Sequence, residues 1–426
     1  MALTTDDFSG AVFPPDFVWG AATSSYQIEG SRDLHGKGES IWDRFTATAG
    51  KIEDGSHGDI ACDHYIRWRD DIALLSELGL SSYRFSISWP RILPGGTGAV
   101  NQAGLDFYSR LVDELLENDI APNVTLYHWD LPQVLQDRGG WPDRMIVDAF
   151  VDYADIVSRH LGDRVMMWAT LNEPWVAAKL GYEFGVHAPG LHDRLLAVNA
   201  AHNLLVAHGQ AVPVIRANSP DAEVGIVLNL WPLLPATSNQ ADVKMARFLD
   251  GDLNRWYLDA LAGFGYPADI LRTYEGAFDG VKPGDMATIA EPLDFLGINY
   301  YSRSLIRAGS EGEDHEFTRV LDPDSEVTEM GWEVYAAGLY DVLARTYYHY
   351  GFQHLYVCEN GAAYADAVSE DGRVRDPKRV NYIAQHLLQA QRAIADGVPL
   401  EGYYAWSLLD NFEWSFGYTR RFGLIY

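Results

Sequence analysis

Short apolar, β-rich runs recur along the chain at 17–23, 82–88, 122–128, 165–171, 224–230, 295–301, 355–359 and 402–408. Between them lie stretches of helical periodicity, and this alternation is the signal of parallel βα units. Leu105, Tyr108, Leu111, Val112, Leu115 and Leu116 recur at helical spacing, as do Val380, Ile383, Leu387, Leu388 and Ile394, and both faces are expected to pack on a sheet. Less regular patterns cover 66–78, 144–161, 194–217, 243–261 and 336–350. Eight strands with helical crossovers predict a closed (β/α)8 TIM barrel, a single domain over 1–426, with chemistry at the C-terminal ends of the strands. Long segments after the first, fourth, fifth, sixth and eighth strands are expected to wall a pocket. No linker divides the chain, and the polar, acidic stretch 309–325 reads as an exposed loop.

Composition narrows the partners. Hydrophobic residues make up 47% and charged residues 22%, the balance of a globular protein with a large core. Sixty acidic residues against 32 basic ones give a net charge of -28, a field that repels nucleic acid and anionic membranes. Cys62 and Cys358 are the only cysteines, which excludes a disulfide framework and a four-cysteine metal site. Residues 1–10 lack a basic-then-apolar leader and no apolar run is long enough to span a bilayer, so the expected location is cytoplasmic.

The chemistry gathers at two strand ends. In Thr170-Leu171-Asn172-Glu173-Pro174 the proline stops strand pairing and leaves Glu173 at the lip. Taken alone, Glu173 is either a surface glutamate or a general acid kept protonated by a dry pocket. A second carboxylate ends the apolar run of Leu355-Tyr356-Val357-Cys358-Glu359-Asn360-Gly361 in the same way. In one barrel the fourth and seventh strand ends face each other across the mouth, which suits two carboxyls flanking a bond.

With these motifs, and with the supporting segments 17–30, 83–92, 128–132, 297–302 and 406–414, the chain from Phe13 to Tyr426 resembles family 1 of the glycoside hydrolases, the β-glucosidase family. The resemblance implies a retaining double displacement, with Glu359 as nucleophile and Glu173 as acid and then base. It places Arg84 and Tyr301 beside Glu359, where a cation and a phenol donor favour the carboxylate. It assigns Gln27, His128, Trp129, Asn172, Trp406, Glu413 and Trp414 to the first sugar site, residue types that bond hydroxyls or cover a pyranose face; each by itself also fits ordinary core packing. Trp332, with Asn229, Trp175 and His187, is implied on the leaving-group side, where Ala336-Ala337 departs from the family's usual Pro-Glu pair. Cys358 stands where the family more often has Thr, and strand alternation is expected to turn it away from Glu359.

The implied substrates are terminal β-D-glucosides, with β-galactosides or β-fucosides alongside, and short β-linked oligosaccharides such as cellobiose. No metal or organic cofactor is implied, and homo-oligomerisation is left open. The rival readings are a phospho-β-glycosidase, against which Glu413 stands as a repelling charge, and a sugar-binding barrel without catalysis. An S-glycosidase would have Gln in place of Glu173. Family members usually continue into a final helix over the outer faces of the eighth and first strands. The chain as given lacks that helix, so apolar surface is expected there.

Overall fold

The computed structural model describes residues 12–274, 278–309 and 316–426. Eight parallel strands close a barrel: β1 (Val18–Ala22), β2 (Ser82–Ser86), β3 (Ala121–Tyr127), β4 (Met167–Asn172), β5 (Glu223–Asn229), β7 (Phe295–Asn299), β10 (Leu355–Asn360) and β11 (Leu400–Trp406). β11 pairs with β1 and shuts the ring, so every strand has neighbours on both edges. The expected strands are therefore all present, each shifted by no more than a few residues at its ends.

Side-chain alternation sorts the strands into an inside and an outside. Ala22, Ala169, Val227, Phe295, Tyr356, Cys358, Tyr404 and Trp406 pack together within the barrel. Room for the aromatic members comes from glycine: a Cβ on Gly20 would lie 2.3 Å from Tyr404 Cδ1, and one on Gly297 would lie 2.7 Å from both Cys358 Sγ and Val227 Cγ2. The outward set packs under helices α1 (His64–Glu77), α2 (Gln102–Glu117), α3 (Met145–Leu161), α4 (Arg194–Asn218), α5 (Gln240–Asp250), α6 (Ala337–Tyr348) and α7 (Pro377–Ala395). Asp193 caps α4 by accepting from the Leu195 and Leu196 amides at 2.8 and 3.0 Å. Pro377 starts α7, where its missing N–H costs nothing.

The 243–261 pattern is helical throughout, with a π-helical turn at Gly251–Arg255 between α5 and Trp256–Leu261. Three expectations fail in detail. Along α7 the fully buried side chains are Arg379, Tyr382, His386, Ala390 and Ala393, whereas Val380 is 68% exposed. Of the expected stripe, Leu387 and Ile394 are half-buried against the main core and Ile383 against a side cluster, so the stripe flanks the buried line rather than forming it. The stretch 309–325 contains a strand, β9 (Phe317–Val320), antiparallel to β8 (Ser304–Ala308), which in turn pairs with β6 (Leu233–Pro235). The outer residues of β1 and β11 are not bare. Ala21, Tyr403 and Ala405 are buried, and Phe13, Phe17 and Trp19 form an aromatic cluster reaching Tyr403.

Residues 1–10, where no leader is expected, and residues 310–315 of the acidic stretch lie outside the described residues. Among the described residues no helix is long and apolar enough to cross a membrane.

Candidate active site

A cavity of about 630 Å³ opens over the C-terminal ends of the strands, with Glu173, Glu359 and Glu413 on its wall. Glu359 ends β10 and is held from two sides. Arg84, rising from the middle of β2, donates Nη1–H to its Oε1 at 2.7 Å, and the Tyr301 hydroxyl donates to its Oε2 at 2.6 Å. Both carboxylate oxygens thus carry a strong, short donor bond. Burial pushes the Glu359 carboxyl up, while the Arg84 charge and the Tyr301 and Arg84 hydrogen bonds pull it back.

Glu173 has a different environment. Its one described side-chain partner is Asn299, whose Nδ2–H reaches Oε1 at 2.6 Å. Burial first, and then the charge of Glu359, push its pKa to about 8. Of the two carboxyls Glu359 therefore ionises first, and Glu173 keeps its proton near neutrality. Glu173 also has a φ of 48°, in the left-handed region where a side chain is strained by about 1–3 kcal/mol. Trp129 and Trp414 share that region, with φ of 79° and 47°.

Asn172 ties the two halves together. Its Oδ1 accepts from Arg84 Nη2 at 2.7 Å and from Asn299 Nδ2 at 3.0 Å, so its Nδ2 must be the donor to His128 Nε2 at 3.0 Å. Nε2 of His128 is then an acceptor, and the ring proton sits on Nδ1, which is buried and without a partner among the described residues. Burial and the nearby Arg84 hold this imidazole neutral, well below its usual pKa. The ring lies nearly parallel to Trp406 and Trp414, at 5.8 and 5.9 Å. Trp129 packs on Trp414 at 4.5 Å and donates its indole N–H to the Asn172 carbonyl at 2.9 Å.

Gln27 and Glu413 complete this side. Gln27 lies behind Glu413 rather than on the cavity wall, with Nε2 at 2.9 Å from the Phe412 carbonyl, 3.0 Å from Asn411 Oδ1 and 3.4 Å from Glu413 Oε2. The Glu413 carboxyl is pushed up to about 8, by burial and then by Glu359, with the Gln27 bond opposing.

A match to the sequence model described as Glycosyl hydrolase family 1 runs over residues 9–426. The chain belongs to glycosyl hydrolase family 1. It is 47% identical to "Beta-glucosidase A" of Acetivibrio thermocellus, with 98% of this chain and 94% of that protein aligned. It is 43% identical to the "Bifunctional beta-D-glucosidase/beta-D-fucosidase" of Bifidobacterium breve, over 97% of this chain and 94% of the other. Among solved structures it superposes on the Thermotoga maritima β-glucosidase in complex with glucoimidazole with a TM-score of 0.93, at 48% identity, covering 97% of this chain and 93% of that one.

The rest of this family 1 hydrolase's cavity is walled largely by aromatic rings. Trp332 packs against Tyr301 at 5.5 Å, and Trp231 stands edge-on to Trp332 at 5.3 Å. Trp175 is steadied by Asp252, which its indole N–H reaches at 3.3 Å and which Lys179 in turn holds at 2.7 Å. His187 and Asn229 also reach the cavity.

The sequence reading missed Asn299, Trp231 and Arg319. Asn299 had a detectable signal, being a polar residue ending an apolar strand, as Asn172 does. Cys358 departs from expectation. Alternation from Tyr356 points Cys358 into the barrel beneath the mouth, and a register shift between Val357 and Glu359 turns Glu359 to the same side. Burial pushes its thiol up to about 12, so it adds no charge there.

A second cavity, of about 530 Å³, lies at β6, α5 and α6. Its Asp250 is already paired with Arg345 at 2.6 Å and with Arg255 at 3.3 Å, which leaves no free acid pair there.

Proposed function

We propose that this family 1 hydrolase cleaves terminal β-D-glucosyl residues by double displacement, with Glu359 as nucleophile and Glu173 as acid/base. One observation carries the assignment: two buried carboxyls share one cavity, one gripped by a guanidinium and a phenol and the other touched by a single amide. The first favours the anion and the second the acid. Glu359 attacks the anomeric carbon as the bond to the leaving oxygen breaks, and Glu173 gives that oxygen its proton. Water then adds to the glycosyl-enzyme, losing a proton to Glu173, and the carboxylate of Glu359 departs. Two inversions restore the β configuration.

His128 Nδ1–H and the Glu413 carboxyl supply directed bonds to sugar hydroxyls, Gln27 holds Glu413 from behind, and Trp406, Trp414 and Trp129 supply apolar faces. A cavity of about 630 Å³ takes a monosaccharide with a further sugar or aryl unit, which supports cellobiose and short β-linked oligosaccharides as substrates. The relatives' names support β-glucosides, and the Bifidobacterium enzyme's name supports β-fucosides beside them.

The test uses aryl β-glucosides and azide. Glu359→Ala abolishes turnover, and azide then yields the α-glycosyl azide. Glu173→Ala keeps the first step on good leaving groups, stalls at the second with a loss of about 10²–10⁴-fold, and azide yields the β-linked product. The same azide stereochemistry from both variants would overturn the assignment.

A further inference from the structure

We propose that Arg319 makes the leaving-group side of this cavity selective for anionic leaving groups, carrying a carboxylate one to two ring lengths from the glycosidic oxygen. The proposal rests on the glycosidase reading above and adds the chemistry of the leaving group to it.

Among the described residues, Arg319 is the one Lys or Arg that lines the cavity. It stands on β9 opposite Ile306 of β8, and cross-strand partners share a face of the sheet. Ser304, two residues from Ile306, lies on that face too and accepts the Trp231 indole N–H at 2.9 Å. Trp231 packs on Trp332, and Trp332 on Tyr301, whose hydroxyl is on Glu359. Counted outward from the nucleophile, the wall thus runs through two indoles to the sheet face that bears the guanidinium.

No described residue gives Arg319 a hydrogen bond or an ion pair, which is unusual in a chain with 60 acidic and 32 basic residues. Most other arginines here are tied up: Arg303 holds Glu333 and Asp322, and Arg345 holds Asp250. The carboxyls lining the cavity are Glu173, Glu359 and Glu413, all on the sugar side. Arg319 is an exposed rim residue, and its neighbours partly dry it without supplying a countercharge. A planar five-donor cation beside an aromatic slot fits a carboxylate on an aryl or sugar-acid leaving group. A substrate of that kind would otherwise be repelled by the protein's net negative field.

The experiment compares 4-(carboxymethyl)phenyl β-glucoside with its carboxamide, and the biphenyl homologues of both. The methylene insulates the phenol, so acid and amide leave with similar ease. kcat/KM is measured for the wild type, Arg319→Gln and Arg319→Lys. The expected result is an acid-to-amide ratio about threefold higher in the wild type than in Arg319→Gln for at least one ring length, carried by KM. Arg319→Lys keeps most of that preference, and the wild-type advantage collapses in 1 M salt, where screening acts over about 3 Å.

Equal ratios in wild type and Arg319→Gln at both lengths overturn the proposal. A Lys variant as indifferent as the Gln variant overturns it as well. Failure to turn over even the amides would instead strike at the glycosidase reading.

Discussion

Glu173 and Glu359 carry the same functional group, and their partners alone separate their roles. Removing one donor from Glu359 should show this. Tyr301→Phe loses a hydrogen bond to a charged group, worth about 1.5–3 kcal/mol, so kcat/KM should fall by about 10–100-fold. Without the phenol the carboxylate is less favoured, its pKa rises, and the acidic limb of the kcat/KM profile moves to higher pH. For Asn299→Ala the basic limb is the one to watch. The amide lowers the pKa of Glu173, so its loss should carry that limb above its expected position near pH 8 while kcat drops. A basic limb that stays in place would remove Glu173 from the role of acid. The glutamates were legible as polar punctuation of apolar strands. The donor roles of Asn299 and His128 Nδ1 were not, because they depend on which atoms of Asn172 are already engaged.

At the scale of elements, barrel strands must bring small and large residues to one level, and glycine is the device. Gly297→Ala should destabilise by about 1–3 kcal/mol in chemical denaturation, since its Cβ would lie 2.7 Å from Cys358 Sγ and Val227 Cγ2. Cys358→Ala in the same chain should recover part of that loss, whereas a purely additive double variant would contradict the packing account. The eight strands were readable from their β-rich composition because each is buried on both faces. The small sheet β6, β8 and β9 was not: its pieces are short, one is polar, and they are brought together only by the loops after β5 and β7. The buried face of α7 escaped for a related reason. Tyr382 and His386 are drawn inward by ring stacking at 3.9 Å and by Asn360, whose Nδ2 meets the Tyr382 hydroxyl at 3.2 Å.

Across the whole molecule charge matters twice. The net charge of -28 opposes an anionic sugar, and as pH rises past about 8 the ionised Glu413 carboxyl inside the cavity adds to it. A neutral β-glucoside should exceed its 6-phosphate strongly in kcat/KM, and the reverse order would restore the phospho-β-glycosidase reading. Stability should also depend on pH. The Glu413 carboxyl binds its proton more tightly folded, at about 8, than unfolded, near 4.5. The stability this contributes is full below the unfolded value and is lost as pH rises toward 8. The thermal stability of the ligand-free protein should therefore fall from pH 5 to 8, and Glu413→Gln should flatten that decline by an amount of order a few kcal/mol.

The sequence by itself determined the barrel, the two glutamates at opposed strand ends and the family, because hydrophobic period and local motifs are properties of neighbours along the chain. Tertiary structure alone decided which glutamate ionises first, since the ranking comes from Arg84 on β2, Tyr301 after β7 and the distance each spans to Glu359. It also decided that Glu359 turns to the same side as Cys358 and that Arg319 meets the aromatic wall of the cavity. Those facts rest on a register shift and on a sheet assembled from distant loops, and spacing along the chain encodes neither.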